Sequence, residues 1–289
     1  MMDKKAFSII LIFIGLVSCG RVVRVTLQPI VRISLPPIVD GEVNTYGVYR
    51  SEDSPVPERI KTVITNRVTT APAWSDIGNA PGEQAFRITV VETETSARLE
   101  AYESTVVYLS REDMHPIASS QTLRTPKQTT VVIARYHDGI VEISTNTFER
   151  LGGATAPFSP DIQAPDSQRS FPIGAMTFDV SQLEALGRAV NFLQQKPLNI
   201  LVVVPKTTPP GGMSVSVQAT HCGTDTITTP AGTFDCYKLK FTTPDSTVTL
   251  WFEKVGARRL IKRKTVFALH PESTGVIIKL LSFTIGGHN

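Results

Sequence analysis

Gly223-Thr224-Asp225-Thr226-Ile227-Thr228-Thr229-Pro230-Ala231-Gly232-Thr233-Phe234-Asp235-Cys236-Tyr237-Lys238-Leu239 reads as a hairpin, and it decides the fold class. Pro230 presets the first corner of a turn, and Gly232 can supply the positive φ that closes it. The arms on either side are rich in Thr, Ile, Phe and Tyr, residues that suit a pleated, half-buried surface. Ile227 and Phe234 then fall opposite each other. Two more strands follow, Val248-Thr249-Leu250-Trp251-Phe252 and Arg259-Leu260-Ile261-Lys262.

Upstream, the same alternation recurs. It predicts strands near 44–50, 57–68, 84–95, 98–109, 127–135 and 139–145, then near 198–205, 212–220, 224–229, 233–243, 246–254, 257–266 and 275–284. His137-Asp138-Gly139 and Gly152-Gly153 punctuate them. Residues 152–175, rich in Pro, Ser, Ala and Asp, read as a loop or a crossing between sheets. One helix stands out, around 181–194. Ser181 and Glu184 fit a capping box, and Leu183, Leu186, Val190 and Leu193 form one apolar face. Glu184 and Arg188 are expected to point away from that face, which must pack on the sheet.

The first residues tell of place rather than chemistry. Lys4 and Lys5 precede an apolar run from Ala6 to Val17, shorter than the ~20 residues of a membrane-spanning helix but suited to a signal peptide. Leu16-Val17-Ser18-Cys19 resembles the lipobox of bacterial lipoproteins. The resemblance implies cleavage after residue 18 and acylation of Cys19, with two or more chains giving durable attachment. No aspartate follows Cys19, which points to the outer membrane, facing the periplasm. Residues 19–40 form a lipid-anchored arm. Its alternating Val, Ile and Leu suggest a strand on the main domain, or an extended segment that sets Arg21, Arg24 and Arg32 near lipid phosphates. Residues 41–289 form one β-domain.

The composition bounds the rest. With 41% hydrophobic residues the chain can bury a core, and a net charge of +3 argues against nucleic acid as a partner. Cys222 and Cys236 flank the hairpin turn. Counted back from it, Cys236 lies opposite residue 224 or 225, so a disulfide with Cys222 needs a bulge, and two separately buried thiols fit better. His115, His137, His221, His270 and His288 show no metal-ligand spacing. No nucleophile elbow or phosphate loop occurs, so no cofactor and no enzymatic activity are expected, although a carboxylate pair assembled in space would escape this reading. Asp138 and Glu142 read as charges solvating a hairpin edge, Trp251-Phe252 as core. Arg258, Arg259, Lys262, Arg263 and Lys264 read as the exposed side of a strand, with Arg258, Arg259 and Lys262 as candidate membrane contacts.

The T-P-A-G-T-F-D-C-Y-K-L hairpin, the strand with an aromatic pair and the closing basic strand resemble a family of bacterial envelope domains similar in fold to periplasmic lipoprotein carriers of the LolA/LolB type. The resemblance spans most of residues 41–285. It implies a strongly curved antiparallel sheet, an unclosed barrel, with an apolar cavity between sheet and helix that holds acyl chains. Such carriers have several covering helices where one is seen here, and no residue matches their ligand contacts by motif. The expectation is a membrane-anchored, non-enzymatic envelope protein that binds a hydrophobic ligand, such as an acyl-chain lipid or lipoprotein, or an envelope partner. Its alternatives are a scaffold with a filled core and a carboxylate-based hydrolase. The sheet interior discriminates: a cavity of several hundred Å³ favours binding, a filled core the scaffold, convergent buried carboxylates the hydrolase. Oligomeric state is not implied.

Overall fold

The computed structural model describes residues 39–68, 85–94, 102–111, 113–125, 128–149, 166–174, 177–189, 197–206, 211–268 and 275–285. Cys19, Arg21, Arg24 and Arg32 lie outside them, as does the proposed strand in residues 20–38. The described strands are β1 Glu42–Tyr49, β2 Arg59–Val68, β3 Ala85–Glu94, β4 Tyr102–Ser110, β5 Pro116–Arg124, β6 Gln128–His137, β7 Ile140–Glu149, β8 Ser167–Pro172, β9 Thr177–Asp179, β10 Leu198–Lys206, β11 Gly211–Thr229, β12 Gly232–Thr242, β13 Ser246–Glu253, β14 Leu260–Phe267 and β15 Val276–Thr284. A 3-10 turn, Val180–Gln182, leads into the helix α1, Leu183–Ala189.

All fifteen strands belong to one sheet, ordered β8 to β1, then β15 down to β9. Read as a circle, that is sequence order with a single break between β8 and β9. Every pairing is antiparallel except β9 with β10, which are joined through α1. Open twisted sheets rarely exceed ~10 strands without curling, and here the chain has one apolar face to bury. The sheet therefore rolls until its ends overlap. Val203, on the outer face of β10, packs with Val132, Ala134, Tyr136, Val141 and Ile143 of β6 and β7. The closeness shows at Gly212 of β11, where a methyl group would overlap the Ile143 side chain. The result is an unclosed scroll, the mainly β architecture expected.

The hairpin behaves as read. Thr229 pairs with Gly232 around Pro230 and Ala231, and Ile227 faces Phe234. Gly232 has φ +137, a value L side chains rarely adopt. The two strands expected at 212–220 and 224–229 are one, continuous through a bulge between His221 and Thr224, where Gly223 has φ +91. Three strands escaped the sequence reading, among them the three-residue β9, TFD. β5, PIASSQTLR, begins with proline and is rich in small polar residues. β8, SQRSFP, lies inside the expected loop and is mostly exposed, so nothing apolar marks it.

The helix differs most from expectation. The capping box belongs to Asp179 and Gln182, not Ser181 and Glu184: Asp179 accepts from the Ser181 N–H, and Gln182 Oε1 accepts from the Asp179 N–H at 3.1 Å. Asp179 is fully buried and also accepts from Ser119 Oγ and Tyr136 OH, both at 2.6 Å. Gln182 in turn donates to the Met114 carbonyl at 2.9 Å. The helix start is thus pinned to β5, β6 and the turn before β5. Residues 190–194 of the expected helix lie outside the described ones. Leu186 joins the main core with Tyr46, Phe178, Leu250 and Phe252.

Gly187 lies against the Phe252 ring so closely that a methyl group would overlap it. Gly187→Ala is expected to destabilise the domain by about 1–3 kcal/mol, the usual cost of overpacking, despite alanine's better helix propensity. Urea unfolding checks this. A stabilised variant would contradict the placement of α1 on β13.

Candidate functional site

The roll surrounds a partly open cavity of about 180 Å³, and its walls differ in character. One is aliphatic, with Val202 and Val204 of β10, Val215 and Val217 of β11, Val248 and Leu250 of β13, and Ile278 of β15. These positions alternate along their strands, as a one-sided sheet requires. The other wall is charged. A cross-strand row runs from Tyr46 of β1 through Lys61 of β2 and Glu92 of β3 to Glu103 of β4, and all but Tyr46 line the cavity with Arg59, Gln121, Glu184 and Arg263. Sequence reasoning missed these residues because they come from five strands and the helix.

Their pairing is specific. Lys61 Nζ lies 2.7 Å from Glu184 Oε1, and Arg263 Nη1 approaches the same oxygen at 3.3 Å. Burial raises the Glu184 pKa, but Lys61 and Arg263 together hold it below its ordinary value. Glu184 therefore turns toward the lumen rather than away, correcting the expected helix face. Arg59 donates to Glu92 at 3.1 Å. Glu103 accepts from the Gln121 amide at 2.6 Å. Burial first, then the Glu92 charge, push its carboxyl above the ordinary value, against the Gln121 hydrogen bond and the Arg59 and Lys61 charges.

A second network closes the lumen beside α1. Glu42, with no exposed surface, accepts two hydrogen bonds from Arg188, at 2.6 and 3.1 Å, and one from Asn44. Burial raises the Glu42 pKa, and Arg188, Asn44 and Arg259 outweigh it, leaving it lowered. Arg188 is thus buried, another departure from the expected helix face. A void of about 20 Å³ next to it suits a single water.

The candidates read from sequence fall elsewhere. Arg259 is buried, donates to Glu253 at 3.1 Å and lies 4.2 Å from the centre of the Phe283 ring. Its side chain is not exposed, as a membrane contact was expected to be. Arg259 and Arg258 precede β14, and Arg258 donates to the Arg188 carbonyl at 3.2 Å. On β14 itself Lys262 and Arg263 take opposite faces: Lys262 covers the outward Trp251 ring at 5.1 Å and pairs with Glu52 at 2.7 Å, while Arg263 enters the lumen. The basic run is thus not one exposed edge. Phe252 and Trp251 are both buried in the main core, as expected. Cys222 and Cys236 are free thiols. Cys236 faces Asp225, and burial pushes its thiol up to about 12. Cys222 is exposed at the bulge, so the expectation of two buried thiols is half right. His221 Nε2 lies 2.9 Å from the Gly223 carbonyl. Glu142 and Asp138 flank His137 at the β6–β7 turn. Among the described residues no cluster of His, Cys, Asp and Glu could hold a metal.

Fold and lumen together define a rolled-sheet protein with a short interior helix and an amphipathic cavity. No family model matches the chain, and no curated protein matches it. Two solved structures are similar. One, from Bacteroides fragilis, is described as an exported protein with a YmcC-like fold; it is 9% identical, with 87% of this chain and 99% of that one covered and a TM-score of 0.37. The other, from Parabacteroides distasonis, is described as a lipoprotein; it is 10% identical, with 89% and 100% covered and a TM-score of 0.30. At these scores neither likeness bears on function.

Glu103 makes the charged wall testable through pH. A carboxyl whose pKa is raised in the folded state contributes stability below its unfolded value and loses it as pH rises through the folded value. Glu103→Gln keeps the acceptor for Gln121 and removes that loss. The variant is expected to be more stable than the parent at pH 8, with the gap closing as pH falls toward 4.5, the ordinary value. Urea unfolding across that range measures it; a gap independent of pH would contradict the assignment.

Proposed function

We propose that this chain is a lipid-anchored envelope protein, held by Cys19 in the outer membrane facing the periplasm, whose rolled sheet binds a short apolar or amphiphilic ligand without chemically changing it. The leader and lipobox support the anchor. One observation carries the binding reading: the lumen is a cavity with a continuous aliphatic wall. Its volume of about 180 Å³ exceeds the ~150 Å³ of an apolar cavity able to hold benzene, but falls short of the several hundred Å³ expected of a carrier and below the ~300 Å³ lower bound of drug-sized sites. A short chain fits that space; a full set of lipoprotein acyl chains does not. The size also weighs against a hydrolase built on Glu92 and Glu103, which needs room for a substrate and a water.

A scaffold with no ligand is the second reading. The Glu42–Arg188–Arg259 network favours it, because it fills one end of the roll with buried, paired charges.

Two measurements test the proposal. Cys19→Ala is expected to abolish metabolic labelling with palmitate, and persistent labelling would exclude the anchor. Native mass spectrometry of the chain extracted from its own envelope is expected to show a bound small amphiphile, lost on Val217→Phe, which fills the lumen. A folded parent that carries nothing would favour the scaffold.

A further inference from the structure

The charged wall says what kind of amphiphile the lumen takes. Glu184 supplies one carboxylate to two cations, and both address the same oxygen. Lys61 spends one of its three protons there. Arg263 spends Nη1 on Glu184 and Nε on Thr265 Oγ1 at 3.3 Å, and its Nη2 makes no hydrogen bond among the described residues. That nitrogen is absent from the fully occluded, unpaired polar atoms of the molecule, so the Arg263 side chain, part of the lining, keeps an accessible donor. This corner of the cavity thus holds one positive charge and several donors in excess.

Over the whole lining three cations, Arg59, Lys61 and Arg263, face three carboxylates, Glu92, Glu103 and Glu184. What this corner offers an incoming group is therefore uncommitted donors on Lys61 and Arg263 rather than a net charge of the cavity. Arg59 and Glu92 neutralise each other at 3.1 Å. Glu103 faces Glu92 from β3, Gln121 from β5, and Arg59 and Lys61 from β2, and its hydrogen-bonded partner is a neutral amide. The aliphatic wall begins beside Arg263, which pairs in register with Leu250, and continues through Val248, Val217 and Val202. A buried charge needs a partner and satisfied hydrogen bonds.

We infer that the lumen binds a short monoanionic amphiphile, a carboxylate-headed aliphatic chain, with its head on Lys61 and Arg263 and its tail along the valine wall. This rests on the proposed binding role of the lumen. Glu103 sits across from the head as a neutral donor once protonated, so the bound anion favours proton uptake there.

The full lipidated chain in lipid nanodiscs, titrated by calorimetry with octanoate, octan-1-ol and octylamine against empty nanodiscs, tests it. Octanoate is expected to bind about ten-fold or more tighter than either other probe, the worth of one charge-assisted hydrogen bond. Arg263→Gln is expected to remove that preference and leave octan-1-ol binding intact, whereas Arg263→Lys retains it. Glu103→Gln is expected to bind octanoate at least as tightly as the parent. If octan-1-ol binds as well as octanoate, or folded Arg263→Gln or the lysine variant behaves oppositely, the inference fails while the lumen remains a binding site. If no probe binds the parent, the binding role itself fails.

Discussion

A fully buried carboxylate, that of Asp179, is the constraint on which the rest of the fold depends. It cannot be left without donors in a low-dielectric interior. The donors it finds come from three places: the Ser181 N–H at the helix start, Ser119 on β5 and Tyr136 on β6. β9 lies at one end of the sheet, whereas β5 and β6 belong near the other. One group therefore holds the two ends of the roll in overlap and sets the direction in which the helix enters the lumen. Burial, and next the Asp179 charge, drive the Tyr136 hydroxyl well above its ordinary value, so it stays protonated and keeps donating.

Once the helix is inside, its polar residues have little water to face. Glu184 and Arg188 are one turn apart and resolve this differently. Arg188 finds Glu42 in a closed, two-bonded pair, the geometry in which a buried ion pair holds position. Glu184 finds two cations and leaves them under-matched. The first arrangement fills space and fixes the helix; the second leaves charge facing a void. The contrast separates a filled end of the lumen from an open one.

Much of the fold was legible in the sequence. The Pro230–Gly232 turn and the alternation in β12 and β13 follow from local chemistry and match the structure; the helix was found, but its cap and its polar face were misassigned. β5, β8 and β9 did not show: β5 is rich in small polar residues, β8 is a mostly exposed edge and β9 is only three residues long. The site was hardly legible at all. Lys61, Glu92, Glu103, Glu184 and Arg263 are scattered across some two hundred residues of chain, and each looks like a solvated surface charge on its own. One signal was available. Arg263 alternates with Lys262 and Lys264 on a strand, so it had to face away from them, toward the core. Arg259 misled for a related reason: adjacency to Arg258 suggested an exposed patch, while the turn before β14 carries it inward to Glu253.

The proposed anchor at Cys19 and the proposed binding lumen meet in a simple picture, a tethered domain that would sample amphiphiles at high local concentration. The claim at its centre is that the roll is a container and not only a support. The most direct measurement is the electron density inside the lumen of crystals grown from the chain purified out of its own envelope. The account requires elongated density lying along Val202, Val217 and Val248, with its head within hydrogen-bond distance of Lys61 and Arg263. A lumen closed by side chains, or holding ordered water alone, would contradict it.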